Sequence, residues 1–130
     1  MSSIFSRIIA GEIPCYKIAE TENCFAFLDI FPLKAGHLLI VPKQEVDELF
    51  DLDEDIYTEL QQFARTIGIA LKKAVPCTRI GTAVVGLEVP HAHIHLIPID
   101  RMKDMDFAQD KLQFSPEEFE AIAASIRNHL

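Results

Sequence analysis

Short apolar runs separated by polar turns predict three β-strands in the first third of the chain. The runs 15–20 and 24–29 are rich in strand-forming residues, and the polar segment 21–23 lies between them, so we expect a hairpin. The third run, 37–42, is opened by Gly36 and closed by Pro42.

Two amphipathic helices are predicted, one in the middle of the chain and one near its end. The stretch 55–75 has apolar residues at steps of three and four, which place them on one face: Ile56, Leu60, Phe63, Ile67 and Leu71. Asp51 or Asp53 can cap its start, and Pro76 marks its end. In the second helix Ser115, Pro116 and Glu118 form a capping box, followed by apolar Phe119, Ile122 and Ile126.

The region between these helices predicts two more strands. The run 79–86 is typical of a buried strand, and the run 91–97 alternates histidine with apolar residues. The order is therefore strands, helix, strands, helix, without the βαβ alternation of a parallel sheet. This order favours the α+β class with a mainly antiparallel sheet.

Composition and charge narrow the class of protein. A chain of 130 residues predicts one domain spanning 1–130. Its net charge of −8 argues against a nucleic-acid partner but leaves a small anionic ligand open. The three cysteines lack CxxC spacing and indicate a reducing compartment. No stretch is typical of a signal peptide or membrane span, so we expect a soluble, cytoplasmic protein without membrane contact.

The candidate chemistry lies in the histidine run, where His91, His93 and His95 stand at every second position. Side chains alternate between the faces of a strand, so the three imidazoles share one face and the apolar residues between them share the other. They could simply be partly buried polar residues on that face. Metal binding and nucleophilic catalysis are the two functional alternatives.

Geometry limits the metal alternative. The Cα atoms of His91 and His95 are about 13 Å apart in a strand. Two ring nitrogens on one zinc ion are only about 3.4 Å apart. A neighbouring pair such as His91 and His93 could chelate only with ligands from elsewhere, for example a distant carboxylate.

The catalytic alternative centres on His93. If one of its ring nitrogens donates to a fixed acceptor, the other presents a lone pair that can attack phosphorus or carbon near neutral pH. The outer histidines can then donate hydrogen bonds to an anionic substrate. The chain contains neither a G-x-S-x-G elbow nor a P-loop that would suggest other chemistry.

Two motifs resemble the histidine triad (HIT) superfamily, in its branch of nucleotide-binding hydrolases and transferases. The first is "HAHIHLI", and the second is "SIFSRIIAGEIPCYKIAETENCFAFLDIFPLKAGHLLIVPK". The resemblance covers about residues 4–100 and leaves 101–130 as a C-terminal loop and helix. It implies a five-stranded antiparallel sheet with two main helices, and a homodimer in which two sheets join into one.

The resemblance also implies a reaction. His93 attacks the α-phosphorus of a purine nucleotide conjugate, a nucleotidyl-histidine forms, and water releases the monophosphate such as AMP. The backbone carbonyl of His91 would hold the ring of His93, while His95 and His37 would contact phosphate. His37 also fits a purely structural place at a strand start.

The same resemblance implies a nucleoside pocket. Asp29 matches a ribose-hydroxyl acceptor, although it also fits a role as the cap of the turn before Pro32. The residues that match the base pocket are Phe5, Ile8, Phe27, Ile30 and Leu39. An apolar slot suits a flat base, and a carboxylate accepts hydrogen bonds from two vicinal hydroxyls.

The chain departs from the family at a zinc site. Many bacterial relatives hold zinc through Cys-x-x-Cys, a histidine after Pro-Lys and the first triad histidine. The matching positions are Ser3, Ser6 and Glu45 here. Hydroxyls and a carboxylate are poor substitutes for thiolates, so we expect no structural zinc and no cofactor.

A second departure precedes the triad. Leu87 and Glu88 stand where the family has a Gly-Gln-[Ser/Thr] run, and Pro90 precedes His91. Glu88 would repel phosphate, or it would pair with an amine leaving group or donate a proton. Three functions therefore stay open: a hydrolase of phosphoramidates or dinucleoside polyphosphates, a nucleotide-binding regulatory protein with little turnover, and a histidine-based metal-binding protein.

Overall fold

The computed structural model describes residues 2–130 and contains one five-stranded sheet. All neighbouring strands are antiparallel, in the order β1-β2-β3-β5-β4. The elements are α1 (Ile4–Ile9), β1 (Lys17–Glu20), β2 (Cys24–Leu28), β3 (Leu38–Pro42), α2 (Glu54–Ala74), β4 (Arg79–Ala83), β5 (Ile94–Ile99) and α3 (Pro116–Arg127), with short 3-10 turns at Leu49–Asp51 and Met102–Met105. The predicted α+β class, with its antiparallel sheet and two main helices, is confirmed.

Helices α2 and α3 cover one face of the sheet. Leu60, Ile67 and Leu71 of α2 share a single core with Phe119 and Ile126 of α3. The C-terminal helix is thus part of the main core. Its capping box is present as predicted, whereas Asp53 occupies the N-cap position of α2 without a side-chain hydrogen bond.

The opposite face carries α1 and a smaller apolar cluster of Phe5, Phe25, Phe27, Leu39 and Val41. Strand alternation explains the division, because the residues between these in β2 and β3 belong to the main core. The register of β3 against β5 places Leu39 opposite His95. His95 of β5 therefore lies beside the small cluster.

The histidine run enters the sheet later than predicted. Strand β5 begins at Ile94, since the amide of His91 bonds to the carbonyl of Val89 and that of Ala92 bonds to the carbonyl of Val46. The alternation still holds, because Ala92 packs in the main core while the rings of His91 and His93 contact Phe5 on the other face.

The strand predicted over 79–86 is present but shorter than predicted, and the prediction that it is buried was wrong. Strand β4 ends at Ala83, pairs with β5 alone and is only partly buried, because it forms an edge of the sheet. Residues 84–90 leave the sheet as a loop. Arg79 and Thr82 interrupt the apolar residues of this run, and both are exposed on the edge strand.

Helix α1 was not predicted from the pattern, because six residues are too few to show a helical period. Its start has a local signal, since the Oγ of Ser3 accepts a hydrogen bond from the Ser6 amide as an N-cap.

No helix within residues 2–130 is long and apolar enough to cross a membrane. Cytoplasmic location stays a prediction.

Candidate active site

A cavity of about 460 Å³ opens between α1, the sheet and the loops around it, a size suited to a small molecule. His37, His93 and His95 line it, whereas the side chain of His91 is fully buried and does not. Every residue predicted to bind the nucleotide also lines it: Phe5, Ile8, Phe27, Asp29, Ile30, Leu39 and Glu88. Their individual roles stay predictions.

The ring of His93 is oriented by the backbone that precedes it. Its Nδ1 lies 2.7 Å from the carbonyl oxygen of His91. A carbonyl can only accept, so Nδ1 carries the proton and Nε2 keeps its lone pair. The ring also packs edge to face against the ring of Phe5, with 4.9 Å between the two centroids, and this contact restrains the imidazole further.

The charge state of His93 preserves that lone pair. Burial lowers the pKa of His93, and the proximity of His91 lowers it further, against opposing effects of the His91 carbonyl and Asp29. The ring is therefore neutral at pH 7. A neutral imidazole with a free Nε2 inside a small-molecule cavity is a competent nucleophile.

His37 and His95 form a second hydrogen-bonded pair, which we call the relay because the Leu33 amide, His37 and His95 are linked in series. The amide of Leu33 donates to Nδ1 of His37 at 3.0 Å, so the proton of His37 must sit on Nε2. That Nε2 lies 2.9 Å from Nδ1 of His95 and donates to it. His95 consequently carries its own proton on Nε2, where it can serve as a hydrogen-bond donor.

The relay depends on both rings being neutral. Burial lowers the pKa of His37 to about 4, and the nearby charge of Lys111 and the proximity of His93 add to the effect. Burial lowers the pKa of His95 to about 3, with His37 and His93 adding to it. At pH 7 each ring thus has one donor and one acceptor nitrogen, as the relay requires.

Asp29 closes a turn, as its sequence position suggests, and it also lines the cavity. One carboxylate oxygen accepts the amide of Phe31 at 2.8 Å and closes the turn before Pro32. The other lies 3.6 Å from Nε2 of His37, too far for a hydrogen bond. Asp29 therefore shapes the turn and still presents a carboxylate oxygen to the cavity.

Behind the cavity, His91 is held by α1 and β3. Its Nε2 lies 2.7 Å from the carbonyl of Pro42, and its Nδ1 lies 2.7 Å from the Oγ of Ser3. Glu45 accepts the Ser3 amide at 2.6 Å and the Ser6 hydroxyl at 2.7 Å. These two hydrogen bonds lower the pKa of the Glu45 carboxyl. The cluster fastens α1, and with it Phe5, to the histidine run.

This cluster occupies the positions at which the resemblance implies zinc in other family members. The donor set consists of two hydroxyls, a carboxylate and an imidazole, and these groups already bond to one another. Both ring nitrogens of His91 have protein partners. The residues therefore do not fit a structural zinc.

A different trio could in principle hold a metal, because ligand atoms of Asp29, His37 and His95 lie within 4.8 Å of one another. The relay argues against it. The lone pair of His37 at Nδ1 is taken by the Leu33 amide, and its Nε2 carries the proton. His37 would have to give up one of these bonds to ligate an ion.

Several residues that line the cavity were not among the predicted site residues, and two of them come from the C-terminal part of the chain. Phe107 and Lys111 come from the segment after β5 and line the cavity. The ring of Phe107 meets that of His95 at 4.9 Å between centroids and that of His37 at 6.3 Å. The sequence feature that marks this segment is Phe107, an isolated aromatic residue within a charged stretch.

Comparison with known proteins agrees with this arrangement. The HIT domain family matches residues 10–102. An uncharacterized HIT-like protein of Borreliella burgdorferi is 32% identical over 131 residues, covering 95% of this chain and 94% of that protein. Adenosine 5'-monophosphoramidase HNT1 of Saccharomyces cerevisiae is 38% identical over 96 residues, covering 73% of this chain and 61% of that protein.

A second yeast protein and a solved structure extend the likeness to the whole chain. Adenosine 5'-monophosphoramidase hnt1 of Schizosaccharomyces pombe is 29% identical over 132 residues, covering 100% of this chain and 99% of that protein. The crystal structure of a HIT-like protein from Bartonella henselae superposes with a TM-score of 0.87 at 28% identity, covering 99% and 96% of the two chains.

The fold and the aligned imidazoles define a histidine triad architecture. The chain belongs to the HIT family, as its match over residues 10–102 shows. The family resemblance found in the sequence is thereby confirmed.

The two neutral histidines predict a pH dependence of stability. The folded-state pKa values of His37 and His95 lie below the ordinary value of 6.5, so the unfolded chain binds more protons as pH falls. The free energy of unfolding should be highest above pH 6.5 and fall from there towards pH 4. The slope should approach about 1.4 kcal/mol per pH unit for each histidine.

Urea unfolding at a series of pH values measures this slope. Between pH 6.5 and 5, His95→Gln should flatten the profile, while the matched variant His129→Gln at the exposed C-terminus should leave it unchanged. A wild-type profile that is flat across that window would contradict the assignment of neutral rings.

The Ser3 cluster predicts stability without metal. Ser3→Ala removes both the donor to His91 and the N-cap of α1, and should lower the free energy of unfolding by about 1–3 kcal/mol. Ser2→Ala, at an exposed neighbour, should change it by less than about 0.5 kcal/mol. A chelator should not shift the melting temperature, and a shift would show that metal holds the site.

Proposed function

We propose that the protein is a nucleotide hydrolase that acts on the α-phosphate of a purine nucleotide conjugate through a covalent intermediate on His93. The observation that carries the proposal is the neutral ring of His93. Its Nδ1 is bonded to the His91 carbonyl, and its Nε2 is left free. The candidate substrates are a phosphoramidate and a dinucleoside polyphosphate.

In the first step, Nε2 of His93 forms a bond to the α-phosphorus, and the bond from phosphorus to the leaving group breaks. The leaving group departs with the bonding electron pair and takes up a proton from solvent, which the second step returns. The phosphorylated imidazole then carries a positive charge, which the hydrogen bond from Nδ1 to the His91 carbonyl stabilises. The Nε2–H of His95 is suited to donate to a phosphate oxygen as charge develops there.

In the second step, water forms a bond to phosphorus and the bond to His93 breaks. The imidazole recovers its lone pair, and the water proton is released with the nucleoside monophosphate. The net reaction consumes one water and needs no oxidant, reductant or metal, consistent with a cavity whose histidines are engaged in hydrogen bonds with the protein.

The cavity walls support a nucleoside as the other half of the substrate. Phe5, Phe27 and Leu39 form an apolar surface beneath the triad, and half-exposed Ile30 lies at the mouth. Asp29 keeps one carboxylate oxygen free of strong partners. An apolar slot next to a carboxylate accommodates a flat base and a ribose.

The two yeast relatives named above are adenosine 5'-monophosphoramidases, which makes adenosine 5'-phosphoramidate the first substrate to test. A regulatory protein that binds the nucleotide with little turnover is the second candidate. The run before the triad favours this candidate, because Leu87 is 90% exposed and Glu88 stands where the family resemblance implies a neutral polar residue.

His93→Ala should abolish release of AMP from adenosine 5'-phosphoramidate, because the atom that attacks phosphorus is removed. The rate should fall by at least about 10³-fold, as followed by chromatography of the products. AMP binding should persist, since the apolar wall remains. The matched variant His129→Ala, far along the chain at an exposed position, should keep full activity.

Three other outcomes would each point elsewhere. Turnover that survives His93→Ala would remove the nucleophile from the proposal. Tight AMP binding by the wild type without any release of product would favour the regulatory protein. Loss of turnover on adding a chelator would favour a metal-dependent reaction.

We also propose that two copies of the chain associate through the edge of the sheet. Strand β4 is an edge strand of the sheet that residues 2–130 form, and a groove beside it is largely apolar. The groove is formed by α2 and the sheet, with Ala64, Gly68, Ile69, Ile80 and Leu96 among its residues. A second copy would pair the two β4 edges and extend the sheet.

Light scattering should give about twice the chain mass of 14.7 kDa. Ile69→Glu should reduce this to the monomer, because it buries an unpaired charge in the interface, and Ile69 is 46% exposed in the single chain. Glu117→Gln, on α3 away from the groove, is the control. A wild type that stays monomeric at high concentration would contradict this association.

A further inference from the structure

Lys111 stands out among the charged groups of the cavity. The cavity is lined by two carboxylates, Asp29 and Glu88, and by Lys111 as its single lysine or arginine among residues 2–130. The protein as a whole is acidic, with a net charge of −8. A positive charge in the cavity of an acidic protein therefore indicates a specific role in binding.

The ammonium group of Lys111 is held in position without being neutralised. Its Nζ donates to the backbone carbonyls of Phe107 and Gln109, the latter at 3.0 Å. None of the ion pairs found within residues 2–130 involves Lys111. Two of the three ammonium protons are thus used by uncharged acceptors, and the third remains for a ligand.

The segment that carries Lys111 is anchored on both sides. Phe107 packs its ring against the rings of His95 and His37, and the amide of Leu112 donates to the carbonyl of Pro32 at 2.8 Å. Its charge is close enough to His37 to contribute to the lowered pKa of that ring. The cation is therefore part of the cavity wall.

A series of contacts connects Lys111 to the ring of His93. The ring of His93 contacts that of His95, the ring of His95 contacts that of Phe107, and Lys111 bonds to the backbone of Phe107. Lys111 therefore lines the same cavity as His93 and His95. A cation there suits an anionic group attached to the phosphorus that His93 attacks, and it can partly replace the neutral polar run that the resemblance implies before the triad.

We infer that Lys111 binds an anionic leaving group, namely the second phosphate of a dinucleoside polyphosphate or nucleoside diphosphate. The inference rests on the proposed function and deepens it. It makes the chain selective for a phosphate leaving group over an uncharged amine. Glu88 lines the same cavity with the opposite charge and opposes this selectivity.

The test compares two substrates that share adenylate and differ in the leaving group. These are a diadenosine polyphosphate and adenosine 5'-phosphoramidate. Lys111→Gln should lower kcat/KM for the polyphosphate by about tenfold or more, as expected for loss of a hydrogen bond to a charged group, and leave the amidate within about threefold. Lys111→Arg should keep most of the preference, and Glu88→Gln should shift it towards the polyphosphate.

Lys103→Gln is the matched control, because it removes the same charge from an exposed position in the same segment that does not line the cavity. It should leave the ratio of the two kcat/KM values unchanged. Using this ratio separates recognition of the leaving group from general loosening of the segment, since loosening would lower both values. An equal fall for both substrates, or no fall, overturns the inference.

Binding separates failure of this inference from failure of the proposed function. If the wild type hydrolyses neither substrate, the proposed hydrolase is wrong, but titration calorimetry with ADP and AMP still tests Lys111. Lys111→Gln should weaken ADP about tenfold more than it weakens AMP, and high salt should reduce that difference. If Lys111→Gln weakens ADP and AMP binding equally, or weakens neither, Lys111 does not contact a second phosphate.

Discussion

The hydrogen bond from Nδ1 of His93 to the carbonyl of His91 decides what the cavity can do. It commits the proton of the ring to one nitrogen and exposes the lone pair of the other, at a position that burial keeps neutral. Without it, the ring could rotate or change tautomer and present an N–H to the substrate. The same bond supports the positive charge that the imidazole acquires when it is phosphorylated.

One part of the fold holds His91 and with it this bond, and another sets the protons of the neighbouring rings. Helix α1 and the loop after β3 fix His91 through Ser3, Glu45 and Pro42, by hydrogen bonds that stand where relatives are expected to use zinc. His37, just before β3, lies within hydrogen-bonding distance of His95, and the Leu33 amide sets the protons of both rings. The lone pair of His93 and the N–H of His95 thus have opposite chemical character and face the same cavity.

Much of this was accessible from the sequence, and the misses have physical causes. The period of the histidine run placed three imidazoles on one face, and the helical stripe from Ile56 to Leu71 predicted α2. The edge position of β4 was missed because burial depends on the partners of a strand, which its own residues do not specify. Lys111 and Phe107 were missed because the path of the chain after β5, rather than any local motif, brings them to the cavity.

The central claim concerns the positions of protons on the imidazoles, and long-range ¹H–¹⁵N correlation of the histidine side chains measures them directly at pH 7. The account predicts a neutral His93 protonated at Nδ1, with neutral His37 and His95 protonated at Nε2. A His93 protonated at Nε2, or doubly protonated, would leave no lone pair facing the cavity and would contradict the account.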